Sequence, residues 1–372
     1  MPSEWSLLVW GPSLGSRPHF SAITATSPLK ILVSTNETSR MNEIVHISRA
    51  FFEEVVQSIL ETELPEVAQV AACGVFGYGS ECFGMDDEVS RDHHFGLRID
   101  VLLPDEVHRS ASSTVIETVG TQLPSSFRGY DLREGHVAGA GLAPESLEAF
   151  LTRTIGLTRG PETNVEWLKM PEEDIVHVTN GEVWYDPSGT FTGIRDTLSY
   201  YPDPVWLRRI SHWCRYLSGM GVYALNRALI RKNYQYASIT FARSIKWAIE
   251  IAFMLNRQYF PYDKWLDAYF RRLPTLADQM VPLVDEAVQL DSSWQRKLEI
   301  LETLSDILDA RMVEMGIIAA HPPFVGNETS GYRLLEHAYA DIVQNLPDDV
   351  RNVVPQWDQV YLEEFHTEYV NG

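Results

Sequence analysis

The chain has 372 residues, and its 51 acidic side chains outnumber the 30 lysines and arginines, which gives a formal net charge of −21. Hydrophobic residues make up 45% and charged residues 22%, the composition of a globular protein with a large core. The acidic excess excludes a broad basic face for nucleic acid, because phosphate would be repelled at long range. No apolar run approaches the roughly 20 residues that a membrane-spanning helix needs. Three cysteines without CxxC spacing exclude a disulfide scaffold, so we expect a cytoplasmic protein.

The first forty residues differ from the rest of the chain. Residues 1–40 are rich in Ser, Thr and Pro, carry few charges and show no persistent helical or strand period. Their basic residues are too few and too scattered for an amphipathic targeting helix. We interpret this stretch as a poorly ordered leader.

Residues 41–200 mix helical and strand patterns. In chain order, the sequence first predicts a helix over 42–62 that ends before Pro65 and a buried strand over 70–76. A second strand over 97–103 is stopped by Pro104, and a helix over 111–123 follows. Two further strands, over 175–178 and 182–185, are joined by an Asn180-Gly181 turn. Residues 201–372 change in character and carry long helical periods. Those periods run over 204–232, 234–259, 276–290 and 292–317. The pattern therefore predicts an α+β fold, with a sheet-containing domain over 41–200 followed by an all-helical domain over 201–372.

The segment from Gly77 to His94 carries the clearest chemical pattern. A predicted strand ends in Gly79-Ser80, and after eleven intervening residues Asp92 stands at the head of the next strand. A Gly-Ser turn lets backbone N–H groups and a hydroxyl approach a triphosphate closely, since no side chain blocks the way. Carboxylates on the neighbouring strand could then hold divalent metal ions that bridge the phosphates. This arrangement suits nucleotidyl transfer.

The segment resembles the nucleotidyltransferase superfamily that includes the aminoglycoside and lincosamide nucleotidyltransferases, whose pattern is Gly-Ser followed by Asp-x-Asp or Asp-x-Glu. It is more similar still to the group called domain of unknown function 4037. Blocks that carry this closer similarity are Gly-Tyr-Gly-Ser-Glu at 77–81, Asp-Asp-Glu at 86–88, Ser-Arg-Asp-His at 90–93, Arg98, Thr-Gly-Ile-Arg at 192–195, Tyr-Pro-Asp-Pro-Val-Trp at 201–206 and Arg-Gln-Tyr-Phe-Pro-Tyr-Asp-Lys-Trp at 257–265. The resemblance implies a small mixed sheet that bears the metal site, followed by a helical bundle that closes over the nucleotide.

It also implies roles for particular residues. Gly79 and Ser80 would hold the phosphates of a nucleoside triphosphate, Lys264 would neutralise its tail, and Arg91 and Arg98 could add phosphate contacts. Asp92 would bind Mg²⁺ or Mn²⁺. The expected reaction moves a nucleoside monophosphate to a small-molecule acceptor, which suits an acidic protein better than a nucleic-acid end does.

Two positions depart from the superfamily pattern. His94 occupies the place of the second carboxylate, and imidazole prefers softer ions than magnesium. The third carboxylate, which acts on the acceptor hydroxyl, is expected near residues 141–145, where only Glu145 is acidic. Asp100 could substitute only if a bend at Gly96 brought it back, because along a continuous strand it would lie roughly 26 Å from Asp92.

Other interpretations stay open. The missing carboxylates also fit a degenerate member that binds a nucleotide or a protein partner without chemistry. The His93-His94 pair would suit metal-dependent phosphate-ester hydrolysis. Arg91 and Arg98 could pair with the acidic loop at 86–88, and Lys264 could simply cover Trp265 with its aliphatic stem.

Overall fold

A four-stranded mixed sheet contains Asp100 and Glu145, and the turn with Gly79 and Ser80 follows one of its strands. The computed structural model describes residues 43–91, 96–132, 142–170, 172–326 and 329–353. The strands of the chain are β1 Ala72–Val75, β2 Ile99–Leu103, β3 Ser126–Phe127, β4 Tyr130–Asp131, β5 Leu142–Ser146 and β6 Glu182–Tyr185. The sheet order is β5-β2-β1-β6, with β1 antiparallel to both neighbours and β2 parallel to β5, while β3 and β4 form a separate hairpin.

Helices dominate the remainder of the described chain. Those in the sheet-containing part are Glu43–Phe51 continued by a π-helical turn Phe52–Val56 and by Gln57–Glu63, then Pro65–Ala68, Asp105–Gly120, Leu147–Ile155, Asn164–Lys169, Glu172–Thr179 and Thr190–Thr197. The later ones are Asp203–Arg215 continued by a π-helical stretch Tyr216–Tyr223 and by Ala224–Ile230, then Tyr234–Leu255, Asp263–Phe270, Ala277–Val288, Trp294–Glu314, Ser330–Gln344 and Asp348–Arg351. Across the described residues, no helix combines the length and apolarity needed to cross a membrane.

The sheet is buried on both faces because alternate residues of β1 and β2 enter different apolar clusters. Cys73 and Val101 belong to a cluster with the helices at 43–63 and 105–120, whereas Ala72 and Leu102 belong to a larger cluster that extends through the helices beyond residue 200. Asp100 shares the parity of Leu102, and it lies opposite Gly74 of β1. A carboxylate is thereby placed on a largely apolar face.

These elements confirm the predicted α+β class, with a small mixed sheet followed by helices. The division into domains at residue 200 stays a prediction, as does the interpretation of residues 1–40, which lie outside the described part.

The interpretation of residues 175–178 as a strand was wrong. They lie in the helix Glu172–Thr179, which buries Ile175 and Val178, three residues apart, on one side. Isoleucine and valine are frequent in strands, but here tertiary packing outweighs that preference. Asn180-Gly181 consequently joins a helix to β6 and not two strands.

Gly181 is the position where that junction depends most on the absence of a side chain. Its φ is +62°, and a Cβ there would lie 2.0 Å from the carbonyl oxygen of Val75. Its N–H also donates to the carbonyl oxygen of Cys82 at 2.9 Å. The close approach ties the end of β1 to the start of β6.

We therefore expect Gly181→Ala to lower the free energy of unfolding by about 3 kcal/mol or more, since backbone must move as well as adopt a strained φ. Gly189→Ala is the matched control, because Gly189 has a similar φ of +68° but open space around it. That variant should lose only about 1 kcal/mol. Urea unfolding of both variants measures the difference, and equal losses would contradict the close approach.

Candidate functional site

A cavity of about 770 Å³ opens beside the Gly-Ser turn that follows β1. Its walls come from that turn, from β2 and β5, and from the helices Leu147–Ile155, Glu172–Thr179 and Asp263–Phe270. Of the residues that the sequence predicts for the site, five line this cavity: Gly79, Ser80, Arg98, Glu145 and Lys264. Chain segments from both halves of the protein thus meet at one place.

Arg98 organises the loop between β1 and the short helical turn at Glu81. Its Nε donates to both carboxylate oxygens of Asp100 at 3.0 Å. Its two terminal nitrogens donate to the carbonyl oxygens of Phe76 (2.5 Å) and Tyr78 (2.8 Å) and to the carboxylates of Glu81 (2.6 Å) and Asp100 (2.9 Å). All five N–H groups of the guanidinium therefore have protein acceptors.

The arginine and its two carboxylates are largely withdrawn from water. The side chain of Arg98 is 12% exposed and that of Glu81 is 13% exposed. Burial opposes the charged form of Arg98 and is the largest single influence on it, but Asp100, Cys82 and Glu81 together outweigh burial and raise the pKa of the guanidinium above its usual value. For the carboxylate of Glu81, burial disfavours the charged form and raises the pKa, although the charge of Arg98 acts in the opposite direction. The structure thus pairs Arg98 with Glu81 and Asp100. In this arrangement Arg98 has no free N–H group for the predicted contact with a phosphate.

Lys264 reaches the Gly-Ser turn from the helix Asp263–Phe270. Its Nζ lies 3.1 Å from Oγ of Ser90 and 3.4 Å from Oγ of Ser80. The indole N–H of Trp265 also donates to Oγ of Ser80, at 3.2 Å. Within the described residues Lys264 forms no ion pair with a carboxylate, and its Nζ lies 4.9 Å from the centre of the Trp265 ring. A positive charge therefore stands among hydroxyl groups at the cavity wall.

The backbone of Gly77, at the start of the turn, is fixed by the end of the helix Glu172–Thr179 and by the residue that follows it. Gly77 N–H donates to Oδ1 of Asn180 at 2.9 Å, and Nδ2 of Asn180 donates back to the Gly77 carbonyl at 2.7 Å. Nδ1 of His177 donates to the same carbonyl at 3.0 Å. Arg195 in turn holds the carbonyls of Thr179 and Asn180, each at 2.8 Å. These bonds fix the start of the turn through side chains that lie outside it.

Two carboxylates on adjacent parallel strands share the cavity. Asp100 of β2 lies opposite Ala143 in the register, and Glu145 of β5 lies opposite Leu102. Since paired residues point to the same face, Asp100 and Glu145 are near neighbours there. Glu145 is held by Arg153, whose Nε and Nη2 each donate to one of its oxygens at 2.8 Å. Each carboxylate therefore already has an arginine.

Two further acidic residues, Glu173 and Asp174, line the cavity from the helix Glu172–Thr179. Glu173 accepts a 2.8 Å hydrogen bond from Lys246, and Asp174 lines the cavity beside it. The Tyr78 ring stacks on His177 with centroids 3.9 Å apart. Burial is the largest factor that raises the pKa of both Tyr78 and Asp174, and it lowers the pKa of His177.

The predicted metal ligands cannot be compared with this geometry. Asp92 and His94 lie outside the described residues, and Arg91 ends the short helical turn Val89–Arg91 immediately before them. Among the residues that are described, no group of three His, Cys, Asp or Glu side chains could hold a metal ion. The roles predicted for Asp92, His94, Arg91 and Glu145 stay predictions.

Sequence reasoning missed several residues of the cavity. Trp265 was part of a similarity block, but its hydrogen bond to the Ser80 hydroxyl was not predicted. The ion pair of Arg153 with Glu145 was not predicted either. Tyr78 was noted as part of a motif and not as a cavity wall. The one available signal for Asp100 was its parity on β2, because only the antiparallel pairing with β1 brings it beside the turn.

The comparisons with known proteins agree with part of the predicted resemblance. Residues 167–266 match the sequence profile of domain of unknown function 4037 (DUF4037), which confirms the similarity over the blocks at 192–195, 201–206 and 257–265. The Gly-Ser segment lies before this match. The chain is also similar to the crystal structure of a nucleotidyltransferase-like protein from Exiguobacterium sibiricum 255-15. That similarity has a TM-score of 0.37 and 13% sequence identity, over 78% of this chain and 90% of that chain. No curated protein matches the sequence significantly.

The network around Arg98 predicts a large effect of a conservative substitution. In Arg98→Lys a single ammonium cannot serve the carbonyls of Phe76 and Tyr78 together with two carboxylates, so buried acceptors lose their donors. We expect a loss of about 3 kcal/mol or more in the free energy of unfolding. Arg109→Lys is the control, because Arg109 forms an exposed ion pair with Asp105 within one helix. It should change stability by less than about 0.5 kcal/mol, and a similar small change in Arg98→Lys would contradict the network.

Proposed function

We propose that the cavity binds a nucleoside triphosphate and that the protein transfers its nucleoside monophosphate to a small-molecule acceptor. The acceptor oxygen would bond to the α-phosphorus while the bond to pyrophosphate breaks. Asp92 and Glu145 retain their predicted catalytic roles in this proposal, with Gly79, Ser80 and Lys264 as the contacts to the phosphates.

The observation that carries the proposal is the environment of Lys264. Its ammonium group faces the hydroxyls of Ser80 and Ser90 at the edge of the cavity, without a carboxylate partner in the described part of the chain. A lysine that stabilised the fold by charge would be expected to pair with an acidic group, and this acidic chain offers many. An anion in the cavity would supply the missing negative charge.

The turn beneath Lys264 suits a phosphate for a second reason. Gly77 and Gly79 have φ values of +88° and +137°, a backbone conformation that glycine adopts more readily than other residues. Ser80 is only 9% exposed, and its hydroxyl is already oriented by Trp265 and Lys264. A preorganised turn of this kind loses little conformational entropy when a ligand binds. The cavity volume also falls in the usual range for small-molecule sites.

Mg²⁺ or Mn²⁺ belongs to the proposal through Asp92, with His94 beside it. When bound, such an ion would polarise the phosphates and neutralise their charge. The contribution of the described residues is separate: Ser80 and Lys264 orient the phosphates, and the arginine-paired Asp100 keeps the turn in place.

A second candidate is a protein that binds a nucleotide without transferring it. Its specific support is that Asp100 and Glu145 are each paired with an arginine, so neither offers a free carboxylate on the sheet. This candidate needs no divalent ion for binding. The two candidates therefore differ in their response to EDTA.

Calorimetric titration of ATP and GTP, with Mg²⁺, with Mn²⁺ and with EDTA, tests the proposal. We expect binding that weakens at least tenfold in EDTA and in Asp92→Asn. Lys264→Met should weaken binding by about 10- to 100-fold, equivalent to roughly 1.4–2.8 kcal/mol, because a charge-assisted contact is lost. Binding that survives EDTA unchanged would favour the second candidate.

Lys169→Met is the matched control for Lys264→Met, because Lys169 is exposed and does not line the cavity. It should bind ATP with the affinity of the unmodified protein. Thermal unfolding of all variants separates loss of a contact from loss of the fold. Equal affinities of the two lysine variants would refute the role of Lys264.

A further inference from the structure

A long stretch in the helical part of the chain contains no acidic residue. Residues 204–249 include eight lysines and arginines but neither aspartate nor glutamate. At the composition of the whole chain, a stretch of this length would hold about six acidic residues. Its charge is therefore opposite in sign to that of the protein, which is −21.

The eight basic side chains fall into two groups. Four of them donate to carboxylates or backbone carbonyl oxygens of other elements: Arg208, Arg209, Arg215 and Lys246. The other four are exposed and form no ion pair with a carboxylate of the described residues: Arg227, Arg231, Lys232 and Arg243. The second group therefore leaves its charge to be met by something outside the fold.

Large apolar side chains are exposed in the same place. Eleven are exposed in the described part of the chain, and five of these lie between residues 223 and 239: Tyr223, Ile230, Tyr234, Tyr236 and Ile239. Ile230 is 64% exposed and Tyr234 is 53% exposed. Single apolar side chains on a surface need no explanation, but a cluster of them is typical of an interaction site.

These side chains form one continuous surface, because a short turn joins two packed helices, Ala224–Ile230 and Tyr234–Leu255. Every residue from 230 to 236 is exposed. Before the turn, Tyr223 and Arg227 are four residues apart, and the guanidinium lies 5.0 Å from the centre of the ring. After it, Ile239 and Arg243 have the same spacing, which places them on one helix face. We call the exposed side chains of residues 223–243 the hairpin surface. Among the described residues, none of these side chains lines the cavity.

The turn that presents this surface is held in one conformation. Lys232 has a φ of +56° and ends the first helix. Its N–H donates to the Leu229 carbonyl at 3.0 Å, and the N–H of Asn233 donates to the Ala228 carbonyl at 2.9 Å. This is the Schellman arrangement of hydrogen bonds at a helix end. The side chain of Asn233 then caps the second helix. A rigid surface loses little conformational entropy when a partner binds.

The composition of the hairpin surface favours a protein as its partner. Tyrosine and arginine are enriched in protein interfaces, and acidic residues are depleted there. Isoleucine packs against apolar side chains but gives a nucleobase no ring to stack on. Two of the tyrosines also have aromatic neighbours already, since Tyr223 lies 5.0 Å from Tyr332 and Tyr234 lies 6.3 Å from Trp294. A nucleic acid would in addition bring a dense row of phosphates to an acidic protein.

Charge complementarity indicates what that partner offers. At physiological ionic strength, interactions between exposed charges are largely screened beyond about 8 Å. Tyr234 and Arg243 are separated by nine residues of one helix, which spans roughly 13 Å. A segment in contact with the surface therefore responds to its four unpaired cations more than to the acidic remainder of the protein.

We propose that the hairpin surface binds an acidic segment of a partner protein. Carboxylates of that segment face the four unpaired cations, and its apolar side chains pack on Ile230 and Tyr234. The interaction is separate from the proposed nucleotide site and does not depend on it.

The test uses the full-length protein and a fluorescently labelled random copolymer of glutamate and tyrosine, which combines the two features of the proposed partner. Fluorescence anisotropy measures its affinity at about 50 mM and about 300 mM NaCl. We expect binding at the lower salt concentration that weakens at least tenfold at the higher one, because exposed charge pairs are screened. A copolymer of glutamate and serine with the same charge should bind about tenfold more weakly, since it has no apolar side chain to bury.

Variants locate the binding on the protein. Arg231→Glu combined with Lys232→Glu should weaken copolymer binding about tenfold or more, because two attractive charges become repulsive. Arg109→Glu combined with Lys169→Glu is the control, since it changes the net charge equally at exposed positions outside the hairpin surface. The control should stay within about twofold of the unmodified protein. Thermal unfolding checks that both variants are folded, and ATP affinity should be unchanged in the first.

Several outcomes would overturn the proposal. The copolymer could fail to bind at low salt, or the control could weaken binding as much as the test variant, in which case net charge and not this surface decides. Tighter binding of poly-uridylate or of phosphatidylserine vesicles, lost in the same double variant, would assign the surface to nucleic acid or to lipid headgroups. Sedimentation of the protein alone completes the test, because self-association abolished by Arg231→Glu with Lys232→Glu would make the occupant a second copy of this chain.

Discussion

The arrangement of this site depends on one buried guanidinium. Arg98 joins the end of β1, the turn after it and a carboxylate of β2 by using every one of its N–H donors. Glycines at 77 and 79 make the turn easy to bend, and flexible backbone of this kind needs external bonds to hold one conformation. Lysine could not replace that planar set of donors. Because the bonds that fix the turn occupy every N–H of the arginine, we expect it to hold the proposed site in shape and not to contact a ligand.

The charged side chains around the cavity differ in whether they are paired. On the sheet, Asp100 and Glu145 are neutralised by Arg98 and Arg153, whereas Lys264 contacts the hydroxyls of Ser80 and Ser90 and the ring of Trp265. The protein carries a net charge of −21, yet among the described residues no carboxylate pairs with the lysine at this wall of the cavity. Local pairing, and not the net charge of the chain, therefore sets the charge at this wall of the cavity.

Much of the architecture could be predicted because it depends on local patterns. The alternation over 97–103 and the long helical periods after residue 200 appear in the structure nearly where the sequence indicates. The helix predicted to begin at residue 292 begins at Trp294 and is capped by Ser293, whose hydroxyl accepts a hydrogen bond from the N–H of Arg296. Boundaries of this kind depend on which hydroxyl reaches the backbone, and spacing alone does not specify that.

The site was only partly predictable, because its decisive contacts are distant in sequence. Gly77 and Asn180 are 103 positions apart, and Lys264 is 184 positions from Ser80. The motif indicated Ser80 and the similarity block indicated Lys264, but neither showed that the two side chains meet. Asp174 carried no signal at all, since it lies in a stretch interpreted partly as a strand. Arg98 and Asp100 are two residues apart and therefore lie on the same face of the strand, which explains their pairing. The sequence argument about Asp100 considered only its distance from Asp92 along the strand and so did not find this pair.

A crystal structure with a non-hydrolysable ATP analogue and Mn²⁺ would test the central claim most directly. The account predicts that phosphate oxygens lie within hydrogen-bonding distance of Nζ of Lys264 and Oγ of Ser80. Arg98 should keep its bonds to the carbonyls of Phe76 and Tyr78 and to Asp100. Phosphates bound to Arg98 in place of these partners, or an analogue bound away from the Gly-Ser turn, would contradict it.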